Sequence, residues 1–340
     1  MKKIYLWLMP MTLCLLCGCK GVKSDAPQMP DKYVVAYVCS WTPEMPDGRD
    51  LTHINYAFGS VNQTFDGVDV GHPDRLRTIM ELKKQYPLLK VCLSIGGWTS
   101  GRFSEMAADS VCRQKFAADC KRIVDEFGLD GIDMDWEYPT SSAAGISSSP
   151  DDTDNYTLLM RDIRAAIGPD KLLTQATVCS AQYMDFAALD EYVDFTNIMA
   201  YDMGRPPFHN APLFRSPHAG YMTSAEAVEA HLAAGISPDK LTLGMPFYGH
   251  GVAGFPRIVD LDKADELEGY ECHWDSLACV PWMSVKGDTT LVFSYDNSRS
   301  LALKCEYLLS KGLKGAMYWS YDGDNETGDL KHVLYTTLNK

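Results

Sequence analysis

The decapeptide Asp130–Pro139, DGIDMDWEYP, places Asp133, Asp135 and Glu137 at alternate positions, with Ile132, Met134 and Trp136 between them. Successive side chains of a β-strand point to opposite faces, so the three carboxylates share one face and the three apolar residues share the other. Acids crowded on one face repel one another, and any that are buried must be paired, hydrogen-bonded or protonated. One reading is a solvated acidic stripe on an exposed edge strand. The other is an acid/base device, and Trp136 together with the strongly apolar strands elsewhere in the chain favours it. Asp130 belongs to the same acidic run but falls on the opposite face by parity, which gives it a structural role.

Elements able to position such a device recur along the chain. Apolar, β-branched runs at 33–39, 52–58, 90–95, 131–137, 172–178, 195–201, 241–247 and 315–319 read as strands. Helical patterns fall between them at 73–85, 110–127, 153–167, 186–192, 224–234, 298–310 and 328–338. Gly128 reads as a helix stop and Ser224 as an N-cap. Eight strands alternating with helices predict an α/β fold, a single closed (β/α)8 TIM barrel spanning 31–340, over an open doubly wound sheet. Neither a GxGxxG nor a Walker loop is present to support the open sheet. Catalytic groups of such barrels sit at the C-terminal strand ends. Glu137 is expected there as the last strand residue before Tyr138-Pro139, because proline cannot continue the ladder. SIGGW (94–98), MAYD (199–202), MPFYG (245–249) and MYWS (317–320) are expected at the same mouth. The polar segment 141–150 reads as a mobile loop.

The formal charge of −14 argues against nucleic acid and against a basic membrane-binding surface. Seven Trp and 18 Tyr suit a neutral carbohydrate, whose sugar faces stack on aromatic rings. The histidines show no HExxH or other ligand spacing, and Asp322–Asp329 has the wrong ligand order for a calcium loop, so neither metal nor cofactor is expected. At the N-terminus, Lys2 and Lys3 precede the apolar run Ile4–Leu16, too short for an ordinary spanning helix. The following Leu16-Cys17-Gly18-Cys19 resembles a bacterial lipoprotein signal. That resemblance implies a signal peptide over 1–18, lipid on Cys19, a polar tether over 19–30, and a cell-envelope location with the membrane reached only through the anchor. Export permits disulfides, and of the eight cysteines after Cys19 only Cys272 and Cys279 are candidates to pair.

The motifs together resemble glycoside hydrolase family 18, the chitinase family. The DxxDxDxE signature is present as Asp130, Asp133, Asp135 and Glu137, and SxGG as Ser94, Gly96 and Gly97, followed by Trp98. MxYD is present as Met199, Tyr201 and Asp202. HNAPL (209–213), LTLGMPFYG (241–249), WDSLA (274–278), SYDNSRSLALK (294–304) and GLKGAMYWSYDGD (312–324) follow in the family's order. The resemblance implies a monomeric retaining glycosidase acting on β-linked N-acetylglucosamine glycans through the substrate's own acetamide, the known exception to the two-carboxylate scheme. Residue by residue, it implies Glu137 as acid and then base, Asp135 as the group orienting the acetamide, Asp133 as its proton-sharing partner, and Tyr201 as a donor to the acetamide carbonyl. Trp319 is implied as the floor of the −1 sugar, with Tyr37, Trp98, Tyr138, Met199, Asp202 and Tyr248 along the cleft. The chain departs from many chitinases in having only about 25 residues, 250–273, where the family inserts a small α+β domain between the seventh strand and the WD segment. A shortened insertion implies an open cleft and endo cleavage. An N-glycan endo-β-N-acetylglucosaminidase and a non-catalytic glycan-binding barrel are the rival readings; Glu137, which the latter usually lacks, is present.

Overall fold

The computed structural model describes residues 28–340. The signal peptide, Cys19 and most of the tether therefore lie outside the described residues.

Eight parallel strands form the core: β1 Tyr33–Cys39, β2 His53–Val61, β3 Lys90–Gly96, β4 Gly131–Asp135, β5 Leu172–Val178, β6 Phe195–Met199, β7 Leu241–Pro246 and β8 Gly315–Trp319. Each pairs with its neighbours in sequence, and β1 pairs with both β2 and β8, which closes the (β/α)8 barrel. A short strand, Val68–Val70, adds to β2 antiparallel. These strands are apolar almost throughout because both of their faces are covered, one by the barrel interior and one by helices.

The helices are α1 Pro73–Met80, α2 Phe103–Ala108, α3 Ser110–Phe127, α4 Asp152–Ile167, α5 Phe186–Leu189, α6 Ser224–Ala233, α7 Ser298–Ser310 and α8 Asp329–Leu338. Asp109 starts α3 by accepting the Val111 and Cys112 N–H groups, and Gly128, at φ 70°, ends it by donating to the Val124 carbonyl. The cap of α6 is Thr223 rather than Ser224: its hydroxyl accepts the Glu226 N–H while the Glu226 carboxylate accepts its own, a reciprocal capping box. Among the described residues no helix is long and apolar enough to cross a membrane.

The strand pattern of β4 is borne out in three dimensions. Ile132, Met134 and Trp136 are fully buried on the outer face, where Trp136 stacks on Phe103 at 5.3 Å and meets Tyr156 edge-on at 6.1 Å. The ladder ends at Asp135, so Glu137 stands just beyond the strand and not within it. Likewise β6 ends at Met199, leaving Tyr201 and Asp202 on the loop that follows.

The insertion between β7 and β8 is larger and more regular than expected. His250–Gly251, Tyr270–Asp275, Val280–Val285 and Phe293–Ser294 form a four-stranded antiparallel sheet, so the WD segment lies inside the inserted unit. Cys272 and Cys279 are both free thiols. Cys272 faces Met283 across the ladder, whereas Cys279 sits at the turn of the same hairpin near the Ser276 carbonyl, so the sheet register holds them apart. The 141–150 segment is tied down: Asp152, fully buried, accepts the Ser104 hydroxyl at 2.7 Å, the Ser149 N–H at 2.7 Å and the Thr140 N–H at 3.2 Å, and Ile146 is buried.

Candidate active site

Strand register assembles the site. Ser94 of β3 lies opposite Asp133 of β4, and Asp133 lies opposite Thr174 of β5. Their inward side chains meet at the Asp133 carboxylate, which accepts Thr174 Oγ1 at 2.5 Å, Tyr37 OH at 2.7 Å, Ser94 Oγ at 2.8 Å and Asn197 Nδ2 at 3.2 Å. Burial pushes the Asp133 carboxyl up, and these four donors pull it partly back. Thr242 in turn donates to Asn197 Oδ1 at 2.7 Å, fixing the amide orientation.

Asp135, one layer nearer the mouth, is almost fully buried, and its Oδ1 has no hydrogen-bond partner among the described residues. Burial first, then the nearby Glu137 and Asp133 charges, push its carboxyl well above the ordinary range. An orphaned, buried carboxylate oxygen facing a cavity is an acceptor awaiting a donor. Glu137, half-buried, is pushed up to about 7, chiefly by burial, with the Asp202 charge adding to it. The three acids therefore behave as one interacting set, with protons favoured on the two outer members.

The SxGG run is explained by close approach. A Cβ at Gly96 would lie 2.0 Å from the Asp135 carbonyl oxygen, and one at Gly97 would lie 2.6 Å from the Phe58 ring. Both glycines also have positive φ, and Gly97 N–H donates to the Asp135 carbonyl at 2.9 Å.

A cavity of about 690 Å³ opens above the acids, within the usual size of a ligand site. Of the residues expected at the site, Asp135, Glu137, Tyr37, Trp98, Tyr138, Met199, Tyr201, Asp202 and Trp319 all line it. Asp133 lies fully buried among its four donors. Tyr248 does not line this cavity. It packs edge-on to Tyr201 at 6.2 Å and lines an adjoining space of about 390 Å³ that shares Trp319. Trp319 lies flat on Phe58 at 5.6 Å and leans on Tyr37 at 5.8 Å, giving the cavity an aromatic floor.

Six lining residues escaped the sequence reading: Trp41, Phe58, Val178, Cys179, Arg205 and Tyr221. Trp41, Val178 and Cys179 sit at or just after strand C-termini, and Phe58 sits where β2 leaves its pairing with β1, so the strand-end rule applied to every strand finds them. Tyr221 and Arg205 lie on the long β6–α6 connection, where position in sequence gives no such signal. Trp41, Trp98 and Tyr221 each expose more than half their surface, as rim aromatics available to a sugar face do.

Asp130 sits at the opposite end of β4. It accepts Lys83 Nζ at 2.5 Å and the Val91 N–H at 2.8 Å, with Lys90 Nζ at 3.4 Å, in agreement with the structural role that parity assigned it.

The arrangement can donate a proton from Glu137, accept a donor at Asp135, and hold a flat ring over Trp319. Comparisons with known proteins agree with this geometry. Residues 33–324 match Glycosyl hydrolases family 18. Chitinase A1 of Niallia circulans is 34% identical over 313 residues, which cover 77% of this chain and 45% of that protein, so the chain spans less than half of that relative's length. A solved family 18 N-acetylglucosaminidase from Paenibacillus barengoltzii superposes with a TM-score of 0.81 at 31% identity, covering 90% of this chain and 100% of its own. The Group IV chitinase of Ostrinia furnacalis, solved in complex with allosamidin, gives a TM-score of 0.80 at 27% identity over 91% of this chain and 99% of its own. With the closed barrel, the acid-bearing strand and the aromatic cavity in place, the chain belongs to glycosyl hydrolases family 18.

Proposed function

We propose that this chain is a retaining endo-glycosidase that hydrolyses β-1,4 bonds of N-acetylglucosamine polymers, chitin or chito-oligosaccharides, with the substrate's acetamide as the nucleophile. The observation that carries this reading is the unpartnered Asp135 Oδ1, buried between Asp133 and a Glu137 whose carboxyl is raised to about 7. A two-carboxylate retaining site needs a nucleophilic carboxylate beneath the anomeric carbon. Here the inner acids form a buried stack, better suited to gripping an N–H group than to attacking carbon.

The steps follow from the protonation states. Glu137 starts protonated and donates to the glycosidic oxygen as the bond to the anomeric carbon breaks. The acetamide carbonyl oxygen closes onto that carbon, and Asp135 accepts the acetamide N–H, offsetting the positive charge that develops on the oxazolinium. Asp133 shares a proton with Asp135, so the charge of the pair adjusts as the ring forms. Tyr201 donates to the acetamide oxygen and Trp319 carries the −1 sugar. Glu137, now ionised, takes a proton from water, which attacks the same face that the leaving group vacated, and configuration is retained.

Two substrates and one inhibitor test the reading. Chito-oligosaccharides should be cleaved with retention, high-mannose glycoprotein should be left intact, and allosamidin, found bound to the Ostrinia enzyme, should block turnover. Cleavage of the glycoprotein alone would move the assignment to an N-glycan endo-β-N-acetylglucosaminidase. Binding without turnover of either substrate would leave a glycan-binding barrel. Release of disaccharide alone from the start of digestion would replace endo with exo action. We further propose envelope anchoring through lipid on Cys19, for which loss of radiolabelled fatty acid in Cys19→Ala is the check.

A further inference from the structure

Three of the motif runs of the chain, HNAPL, WDSLA and SYDN, contribute no residue to the cavity, and the structure gives them a common task. Asp202, at the cavity wall, has φ 57°, a left-handed conformation uncommon for a side-chain-bearing residue. Asn210 grips the backbone on both sides of that residue. Its Oδ1 accepts the Asp202 N–H at 2.8 Å, and its carbonyl accepts the Met203 N–H at 2.9 Å. The amide must be oriented this way, because a flipped Asn would set an NH2 group against the Asp202 N–H.

Asn210 is itself held from the inserted sheet. Its N–H donates to Ser294 Oγ at 2.9 Å. The neighbouring His209, fully buried, meets the same Ser294 Oγ at 3.3 Å and Asp275 at 3.1 Å. Asp275 in turn accepts the Leu277 and Ala278 N–H groups at 3.0 Å each. A continuous set of hydrogen bonds therefore runs from the WD hairpin through His209 and Asn210 to the backbone of Asp202. The Asp202 carboxylate that this backbone aims accepts His250 Nε2 at 2.5 Å and shares the cavity with Glu137.

We propose that Asn210 is a positioning residue for the reaction: it holds Asp202 in its left-handed conformation, so that the Asp202 carboxylate faces Glu137, and it ties that conformation to the inserted sheet. This rests on the glycosidase reading of the same site. The inserted unit thereby supports the reaction through hydrogen bonds, with none of its strands lining the cavity that holds Glu137. Without Asn210 the backbone at Asp202 relaxes toward an ordinary conformation and the carboxylate swings away. The aromatic floor of the cavity, Trp319 with Phe58 and Tyr37, belongs to β8, β2 and β1 and stays in place.

The test is a mutant cycle on chito-oligosaccharide hydrolysis with Asn210→Ala, Asp202→Asn and the double variant, alongside Glu137→Gln. Asn210→Ala should lower kcat about tenfold with KM within about twofold, the pattern of an interaction felt in the transition state. The double variant should be no slower than the slower single variant, because both remove the same contribution. Multiplying losses, or an unchanged kcat in a folded Asn210→Ala protein, would overturn the proposal. Ser294→Ala, which keeps Asn210 but removes its anchor, covers the case of a misfolded Asn210→Ala; it should show a smaller loss of kcat at unchanged KM, and no loss overturns the proposal equally. A wild-type protein that cleaves no chito-oligosaccharide would instead remove the glycosidase reading, and an active Glu137→Gln protein would remove Glu137 as the acid, so the failures are distinguishable.

Discussion

At the base of the barrel Asp130 is met by the ammonium groups of Lys83 and Lys90 and by a backbone N–H. At the mouth, at the other end of the same run, Asp135 and Glu137 have no cation paired with them among the described residues. The same side-chain chemistry is stabilised at one end and left in tension at the other. A cation beside a carboxylate anchors structure; burial beside like charge drives a carboxyl to keep a proton, which a general acid requires. A second contrast makes the same point. Asp296 is as buried as Asp135, yet it holds Lys304 Nζ at 2.7 Å through both oxygens and fastens α7 to the segment that leads into it from the inserted sheet. Burial alone does not make a functional acid; at Asp135 burial is joined by the lack, among the described residues, of any cation or donor at an oxygen beside the cavity.

The sharpest way to break this comparison is to neutralise each end in turn. Glu137→Gln should lower kcat by roughly 10²–10⁴-fold, the usual worth of a general acid, with the fold unchanged by circular dichroism. Turnover near that of the wild type would remove Glu137 from the reaction. Asp130→Ala should do the reverse. It should cost about 1–3 kcal/mol of stability in urea unfolding, by leaving the Val91 N–H and two ammonium groups without their acceptor, while kcat/KM stays within about threefold because no transition-state contact is lost.

A smaller effect follows from pH. Glu137 acts first as an acid and keeps its proton up to about pH 7, so kcat/KM should fall as pH rises through that value. An alkaline limb that persists unchanged in Asp202→Asn would show that the Asp202 charge does not help to set it. The smallest effect is on stability. A Glu that titrates near 4.5 when unfolded and about 7 when folded binds its proton more tightly in the native state. Its contribution is then fully present below pH 4.5 and is lost as pH rises through 7. Glu137→Gln, which cannot ionise, should therefore melt higher than the wild type at pH 8, and the gap should close at pH 4.5. A gap of the same size at both values would separate the raised pKa from burial of the charge.

Much of the architecture was legible because parallel barrel strands are buried on both faces and read as continuous apolar runs. The runs at 33–39, 172–178 and 315–319 match β1, β5 and β8 without adjustment. Strand ends were less legible. Trp136-Glu137 and Ala200-Tyr201 continue the alternating pattern after the ladder has stopped, since side-chain polarity carries no mark of where neighbouring backbone pairing ends. The inserted sheet was missed for a related reason: two of its four strands are only two residues long and exist through their partners. The 141–150 segment has a loop's composition, and what holds it, buried Asp152, lies outside it and contacts α2 as well.

The acids of 133–137 and their common face are a local matter, decided by residue type and the two-residue repeat of a strand, and so they can be read from the chain alone. The donors that receive Asp133 come from four other strands, β1, β3, β5 and β6, and sequence carries no measure of how those strands are registered against β4. The same holds for the absence of any partner at Asp135 Oδ1 and for the grip of Asn210 on Asp202. Which acids are present is written in the sequence. Which of them is paired, and which is left holding a proton, depends on distance and dielectric, and only the closed barrel sets those.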